Sequence, residues 1–292
     1  MRFTKMQGLG NDYVYINCFE EQVEAPEELA RIISNRHFGV GSDGLILIEP
    51  SERADVRMRI FNTDGSEAEM CGNGIRCVAK YAYEHQLAHA GGFFSIPGQQ
   101  PCPASLNIET GNGILTVGLV MDENDKVRMA CVNMGQPVLR PEDIPVASEG
   151  EVAIDVPIEV AHQDLLMTCV SMGNPHAVFF CDDVNEVDLE SVGPVIEHHK
   201  LFPRRVNVHF VQSEGATALR VRTWERGSGV TLACGTGACA CCVAGVLTGR
   251  CERVATVHLP GGDLKINWCE QDNCVYMTGP AVEVFRGEWP TS

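Results

Sequence analysis

The feature that most constrains this chain is that it is written twice. Two Cys-Gly-x-Gly elements, Cys71-Gly72-Asn73-Gly74 and Cys234-Gly235-Thr236-Gly237, lie 163 residues apart (71 to 234). Two Gly-Asn elements open apolar segments at the same spacing: Gly10-Asn11 before Asp12-Tyr13-Val14-Tyr15-Ile16, and Gly173-Asn174 before Pro175-His176-Ala177-Val178-Phe179. The segments leading to the cysteines agree too, with Val56–Asn62 over Leu219–Glu225 and Gly44–Ile48 over Asn207–Val211. From 56 to 74, five of nineteen positions are identical to their counterparts; chance would give roughly one in fifteen. Self-similarity at a fixed offset implies two related domains, each placing one cysteine at the same structural point.

At 292 residues the chain is long enough for both. Apolar runs punctuated by Gly, Pro and Asn predict strands at Leu45–Ile48, Arg57–Phe61, Ile114–Val120, Ala177–Phe180, Val206–Val211, Leu219–Trp224 and Val254–Leu259. Helical stretches are fewer: Pro26–Asn35, Gly74–Gln86, Leu189–His199 and Thr236–Leu247. The Gly- and Pro-rich stretch Ala90–Ser105 reads as a loop, and a boundary is expected near Met129–Val132. The expected class is α+β, with two pseudo-symmetric domains over residues 1–131 and 132–277, the first completed by the C-terminal strand segment 278–292.

The formal net charge of −17 excludes a nucleic-acid role, which needs a basic footprint. The start, MRFTKMQGLGNDYVYIN, lacks the apolar core of an export signal, so a cytoplasmic location is expected. Residues 227–249 carry no charge, but they are mostly Gly, Ala, Thr and Cys, which fits a buried helix better than a membrane span. Fourteen cysteines without an export signal read as free thiols. Cys239 and Cys242 form a C-x-x-C with no second pair at metal-binding spacing, so they read as small core residues, and no metal site is expected.

In both copies a strand ends, Cys-Gly-x-Gly follows, and a helical run begins. Each sulfur therefore stands at a helix N-terminus, where the dipole and free N–H groups favour a thiolate. The N–H groups of Gly72-Asn73 and Gly235-Thr236 suit an anion such as a carboxylate. One such element could be a helix cap with an incidental cysteine; two at matched positions are harder to explain that way. Inverting a stereocentre by proton transfer needs removal on one face and delivery on the other, which paired thiols on two related domains supply. One must be thiolate and the other thiol. A disulfide between them would inactivate such an enzyme.

The stretch Asn62-Thr63-Asp64-Gly65-Ser66-Glu67-Ala68-Glu69-Met70-Cys71-Gly72-Asn73-Gly74-Ile75-Arg76 resembles the diaminopimelate epimerase signature. So do Gly8-Leu9-Gly10-Asn11-Asp12, Gly39-Val40-Gly41-Ser42-Asp43-Gly44, Met172-Gly173-Asn174-Pro175-His176, Arg205-Val206-Asn207, Trp224-Glu225-Arg226-Gly227 and Met277-Thr278-Gly279-Pro280-Ala281-Val282. The resemblance covers nearly the whole chain. It implies two domains, each a mostly antiparallel sheet wrapped around a central helix. It implies interconversion of LL- and meso-diaminopimelate, in lysine and peptidoglycan precursor synthesis, without pyridoxal phosphate or metal. Carried over, Cys71 and Cys234 are the acid–base catalysts, and Gly72-Asn73 and Gly235-Thr236 hold the reacting carboxylate. Asn11, Asn62, Asn174, Asn207 and Arg226 read the substrate's polar groups, with Arg226 suited to the distal carboxylate. Glu225 binds the substrate amine, and His176 and Glu225 tune the thiols. The family also implies a homodimer.

Three departures stand out. Many members carry Gln where this chain has Gly44, the loop Ala90–Ser105 is longer than usual, and Phe285 stands where some members use Tyr in the dimer contact.

Taken singly, each Asn reads as a turn residue, and Arg57, Arg59, Arg220 and Arg222 as strand positions in solvent or ion pairs. Rival functions are a racemase of another amino acid such as proline or glutamate, a thiol hydrolase or transferase pairing a cysteine with His176, and a dinucleotide module resting on the weak Gly235-x-Gly237-x-x-Ala240 match.

Overall fold

The structure is a computed structural model and describes residues 1–292 except 98, 100, 161, 162, 291 and 292. Residues 98 and 100 of the expected loop, and 291 and 292 of the expected C-terminal segment, therefore lie outside the described residues. The chain divides into two compact units: Met1–Asn133 together with the segment from Thr278 onward, and Met134–Met277.

The first unit runs β1 (Arg2–Gly8), β2 (Asn11–Asn17), α1 (Pro26–Ile33), β3 (Gly44–Glu49), β4 (Val56–Asn62), β5 (Glu67–Ala68), α2 (Gly72–Glu84), β6 (Ala104–Thr110), β7 (Gly113–Met121) and β8 (Val127–Asn133). The second runs β9 (Val156–Val160), β10 (Gln163–Ser171), β11 (Pro175–Phe180), α3 (Leu189–Glu197), β12 (Asn207–Ser213), β13 (Ala218–Glu225), β14 (Gly229–Thr231), α4 (Gly235–Leu247), β15 (Val254–Leu259) and β16 (Gly262–Trp268). The chain re-enters the first unit within β17 (Val275–Pro280), and its last strand is β18 (Val282–Glu288), which pairs antiparallel with β1.

The sheet of the first unit is mostly antiparallel. Ladders β1–β2, β3–β4, β4–β5, β6–β7 and β7–β8 are antiparallel; β2–β3 and β4–β6 are parallel crossovers. Helix α2 touches β1, β2, β3, β4, β6, β7, β8 and β18, so the sheet is wrapped around it. β3 explains its own sequence. It lies between α1 and α2, so Leu45, Ile46, Leu47 and Ile48 are all buried and the strand reads as a continuous apolar run.

The second unit repeats the plan with β10–β11, β12–β13, β13–β14 and β15–β16 antiparallel, and β11–β12 and β13–β15 parallel. Its registers sit 163 residues on. Val14 faces Leu45 as Ala177 faces Val208; Leu45 faces Phe61 as Val208 faces Trp224; Ile60 faces Ala68 as Thr223 faces Thr231. Helix α4 is built from Gly, Ala, Cys, Thr, Val and Leu, and Gly235 and every residue from Gly237 to Gly245 is buried. It contacts β10, β11, β12, β13, β15 and β16. Cys239, Cys241 and Cys242 are core residues there.

After the helices the offset falls to 149, since Leu106 faces Val117 as Ala255 faces Ile266 (106 to 255, 117 to 266). The first unit thus carries 14 more residues (163 less 149) between helix and next strand. They fall in the expected loop, which folds back on itself through bridges Gly91–Ser105 and Phe94–Cys102 and lodges the Phe94 ring where Gly118 leaves room. β6 begins at Ala104, inside the expected loop.

Candidate functional site

In the first unit, β1 and β2 are joined by Leu9-Gly10, both at positive φ (59° and 82°), the conformation of a tight type I′ hairpin. This turn delivers Asn11 to the start of β2. The Asn11 amide is held from both ends. Its Nδ2 donates to Asp43 Oδ2 (2.8 Å), and its Oδ1 accepts from Cys71 Sγ (3.4 Å) and Asn73 Nδ2 (3.3 Å). Asp43 also takes the Asp12 N–H and the Arg36 guanidinium, and Arg36 and Lys5 both pair with Asp12. Burial pushes the Asp12 carboxyl up, but the hydrogen bonds and charges of Arg36 and Lys5 outweigh it and hold the group below its usual value.

Cys71 is the N-cap of α2. Its backbone is extended, and its sulfur accepts the Gly74 N–H (3.4 Å). Gly72 and Asn73 follow in the first turn of the helix. The Asn73 side chain is turned inward, its Oδ1 accepting from Arg76 Nη2 (2.9 Å). Arg76 is fully buried and also donates to Gly72 O (3.1 Å) and Pro280 O (3.2 Å). Tyr13 is buried beside Asn11 and Cys71; burial first, then Cys71 and Asp43, push its phenol well up.

Tyr13 also accounts for Gly44. A Cβ at 44 would meet the Phe61 carbonyl and lie 2.9 Å from Tyr13 Cε1, so no side chain fits there. Asn62 is the last residue of β4, at the mouth of the turn that follows, its Nδ2 donating to Ser66 Oγ (3.0 Å).

In the second unit Cys234 is the N-cap of α4, with Gly235 and Thr236 in the first turn. Its sulfur lies 3.6 Å from Thr236 Oγ1. Burial, and then the Glu225 carboxylate beside it, push the Cys234 thiol well above its ordinary value, against the Thr236 hydroxyl and the Gly237 N–H. Glu225 is held by the Thr231 hydroxyl, which donates to Oε1 (2.6 Å). Asn207 acts as a latch: its Nδ2 donates to Pro175 O (2.9 Å), and its Oδ1 accepts the Arg226 N–H (3.0 Å). The exposed Arg226 guanidinium donates to Arg204 O (3.1 Å). Buried Glu197 of α3 secures the same turn, accepting from Trp224 Nε1 (2.7 Å) and Gly227 N (3.1 Å).

His176 Nε2 lies 2.9 Å from Asn174 Oδ1 and its Nδ1 2.9 Å from His209 Nε2, so both ring nitrogens are engaged. His209 Nδ1 in turn meets Thr223 Oγ1 (2.9 Å). Burial drives both rings down, His209 to about 3.

The structure thus gathers Asn11, Gly72 and Asn73 at Cys71, and Thr236, Gly235 and Glu225 at Cys234. Asn62 bonds within its own turn. Sequence reasoning missed Tyr13, Asp43, Arg76, Glu197 and His209 as parts of these clusters. Asp43 and Arg76 lay inside motifs already singled out. His209 was detectable as a polar residue aligned on the apolar Ile46.

The sequence profile of the family described as diaminopimelate epimerase matches residues 3–140 and 168–284. The chain is 54% identical to a diaminopimelate epimerase of Acetivibrio thermocellus over 288 residues, covering 99% of this chain and 98% of that one. It is 50% identical to one of Methanococcus maripaludis over 288 residues, covering 99% of each. Among solved structures it is similar in fold to a phenazine biosynthesis protein of the PhzF family from Bacillus anthracis (TM-score 0.68, 16% identity, 100% of this chain and 99% of that one). It is likewise similar to a probable proline racemase from Agrobacterium radiobacter (TM-score 0.67, 12% identity, 100% and 93%).

Proposed function

The chain belongs to the diaminopimelate epimerase family and is an isomerase of diaminopimelate; on that premise we propose that Cys71 and Cys234 are its two acid–base groups, one thiolate and one thiol, exchanging roles with the direction of reaction. The observation that carries this is that both thiols are N-caps at equivalent points of a duplicated unit. The thiolate takes the proton from the α carbon, the electron pair left behind spreads into the α carboxylate, and the opposite thiol returns a proton to the other face. The backbone N–H groups of Gly72-Asn73 and Gly235-Thr236, at the two helix N-termini, stabilise the charge gathering on that carboxylate. Burial, and after it the Glu225 carboxylate, favour the thiol form of Cys234, which suits it to begin as the acid with Cys71 as the base.

Asn11, Asn62, Asn174 and Asn207 read the substrate's polar groups, Asn207 also by fixing the Arg226 backbone. Arg226 takes the distal carboxylate with its remaining donors, and Glu225 the amine. The test is epimerisation of LL-diaminopimelate in deuterated water followed by NMR. Deuterium enters the α carbon in the native enzyme and stops entering when either cysteine is Ala. Exchange that continues undiminished in Cys71→Ala or Cys234→Ala defeats the assignment.

We further propose a cytoplasmic homodimer in which β18 meets its copy. Phe285 is half-exposed beside Phe3 (ring centroids 6.0 Å apart), with Val282 and Val284 also exposed on the strand. Sedimentation of Phe285→Glu as a monomer supports this; an unchanged native monomer refutes it.

A further inference from the structure

Beneath the N-terminus of α4 runs a chain of polar side chains: the buried Thr223, His209 and His176, and then the half-buried Asn174. Position 163 residues earlier, the first unit serves as an internal control. Tyr13 stands for His176, Ile46 for His209 and Ile60 for Thr223 (13 to 176, 46 to 209, 60 to 223). The packing is conserved along with the register. A Cβ on Gly74 would press on Ile46 (2.8 Å to Cδ1), and one on Gly237 would press on the His209 ring.

The fold therefore accepts plain aliphatic side chains at both inner positions. In the second unit it instead buries an imidazole and a hydroxyl, groups whose desolvation is costly unless every partner is in place. We infer that Thr223 and His209 are positioning residues whose work is to hold Asn174, through His176, with its amide nitrogen presented to the substrate.

The direction follows from counting protons. Asn174 Oδ1 accepts, so His176 Nε2 carries hydrogen. A neutral His176 then has a bare Nδ1, which accepts from His209 Nε2. His209 in turn has a bare Nδ1 and accepts the Thr223 hydroxyl. Each link permits one orientation of the next, and the last leaves the Asn174 Nδ2 hydrogens as donors without a partner among the described residues. Burial keeps both rings neutral, so the sequence is not scrambled by a second ring proton. In the first unit the end of the corresponding chain is a phenol, and Asn11 is held instead by Asp43.

This inference rests on Asn174 contacting substrate, as proposed above. The experiment is a cycle with full-length protein: His209→Ile/Thr223→Ile, Asn174→Ala, and the combination, each assayed for KM and kcat with LL-diaminopimelate and for thermal unfolding. The double variant is expected to stay folded, as the first unit does with the same pair, and to raise KM about fivefold to tenfold, the worth of one net hydrogen bond. Asn174→Ala should raise KM at least as much, and the two effects should not add. A Thr223→Ser variant, which keeps the hydroxyl, should restore native KM. If Asn174→Ala leaves KM unchanged, the substrate contact is wrong and the relay falls with it. If Asn174→Ala is impaired while the double variant is native in KM, the relay alone is refuted. If the effects add, His209 acts elsewhere and the inference fails. Should the double variant unfold, His209→Asn with Thr223 intact repeats the cycle under the same criteria.

Discussion

Asn11 Oδ1 lies 3.4 Å from Cys71 Sγ, and it faces the sulfur because Asp43 holds the other end of the same amide at 2.8 Å. A carbonyl oxygen aimed at sulfur favours the thiol, while the helix N-terminus favours the thiolate. The orientation of one amide therefore bears on when Cys71 gives up its proton. Asp43→Ala should release Asn11 and lower kcat about tenfold, with a stability loss of roughly 1 kcal/mol for the missing hydrogen bond. Steady-state kinetics and urea unfolding check this, and native kcat in a folded Asp43→Ala protein counts against it.

Changing either cysteine to Ala should lower kcat by at least about a thousandfold, within the range of a lost general acid or base. Secondary structure should be unaltered, since Ala fits both N-cap sites sterically. A residual rate within tenfold of native in either variant would leave only one essential thiol.

Glu225→Gln should make Cys234 easier to ionise. The carboxylate is the second cause of the raised thiol, after burial, and Gln keeps the Thr231 hydrogen bond while removing the charge. Alkylation of Cys234, followed by mass spectrometry as pH rises, should begin at lower pH than in the native protein. Onset at the same or higher pH removes Glu225 from thiol tuning.

Acid should weaken the second unit through His209. Its folded value is about 3, against an ordinary 6.5. Below pH 6.5 the unfolded chain binds a proton that the folded chain refuses. Stability present at neutral pH is thus lost as pH falls toward about 3, by up to roughly 1.4 kcal/mol per pH unit for one such group. The His209→Ile/Thr223→Ile variant should show a shallower decline of urea midpoint between pH 7.5 and pH 5. Parallel declines would mean that His209 titrates normally.

Arg76→Met should cost about 3 kcal/mol, because Gly72 O, Pro280 O and Asn73 Oδ1 lose a buried, charged donor together. Arg76→Lys should recover only part of this, since an ammonium lacks the forked geometry that reaches all three. Denaturant unfolding of the three proteins measures it.

The duplication was legible because each half must repeat its buried pattern to build the same sheet. Val14, Leu45 and Phe61 have apolar counterparts in Ala177, Val208 and Trp224, and the shared offset exposed them along with Cys71 and Cys234. The helix N-termini were legible for the same reason: strand, Cys-Gly-x-Gly and helical run are local signals. What the sequence could not disclose is how polar side chains far apart in the chain divide their hydrogen bonds. Asn11 is fixed by Asp43, 32 residues on, and His176 by His209, 33 residues on. Both partners are supplied by a parallel crossover that sets β2 beside β3 and β11 beside β12. Hydrogen-bond direction and burial are properties of that packed neighbourhood. The chain alone therefore determined two cysteines at helix N-termini on repeated scaffolds, and only the tertiary structure decided which side chains orient the amides around them.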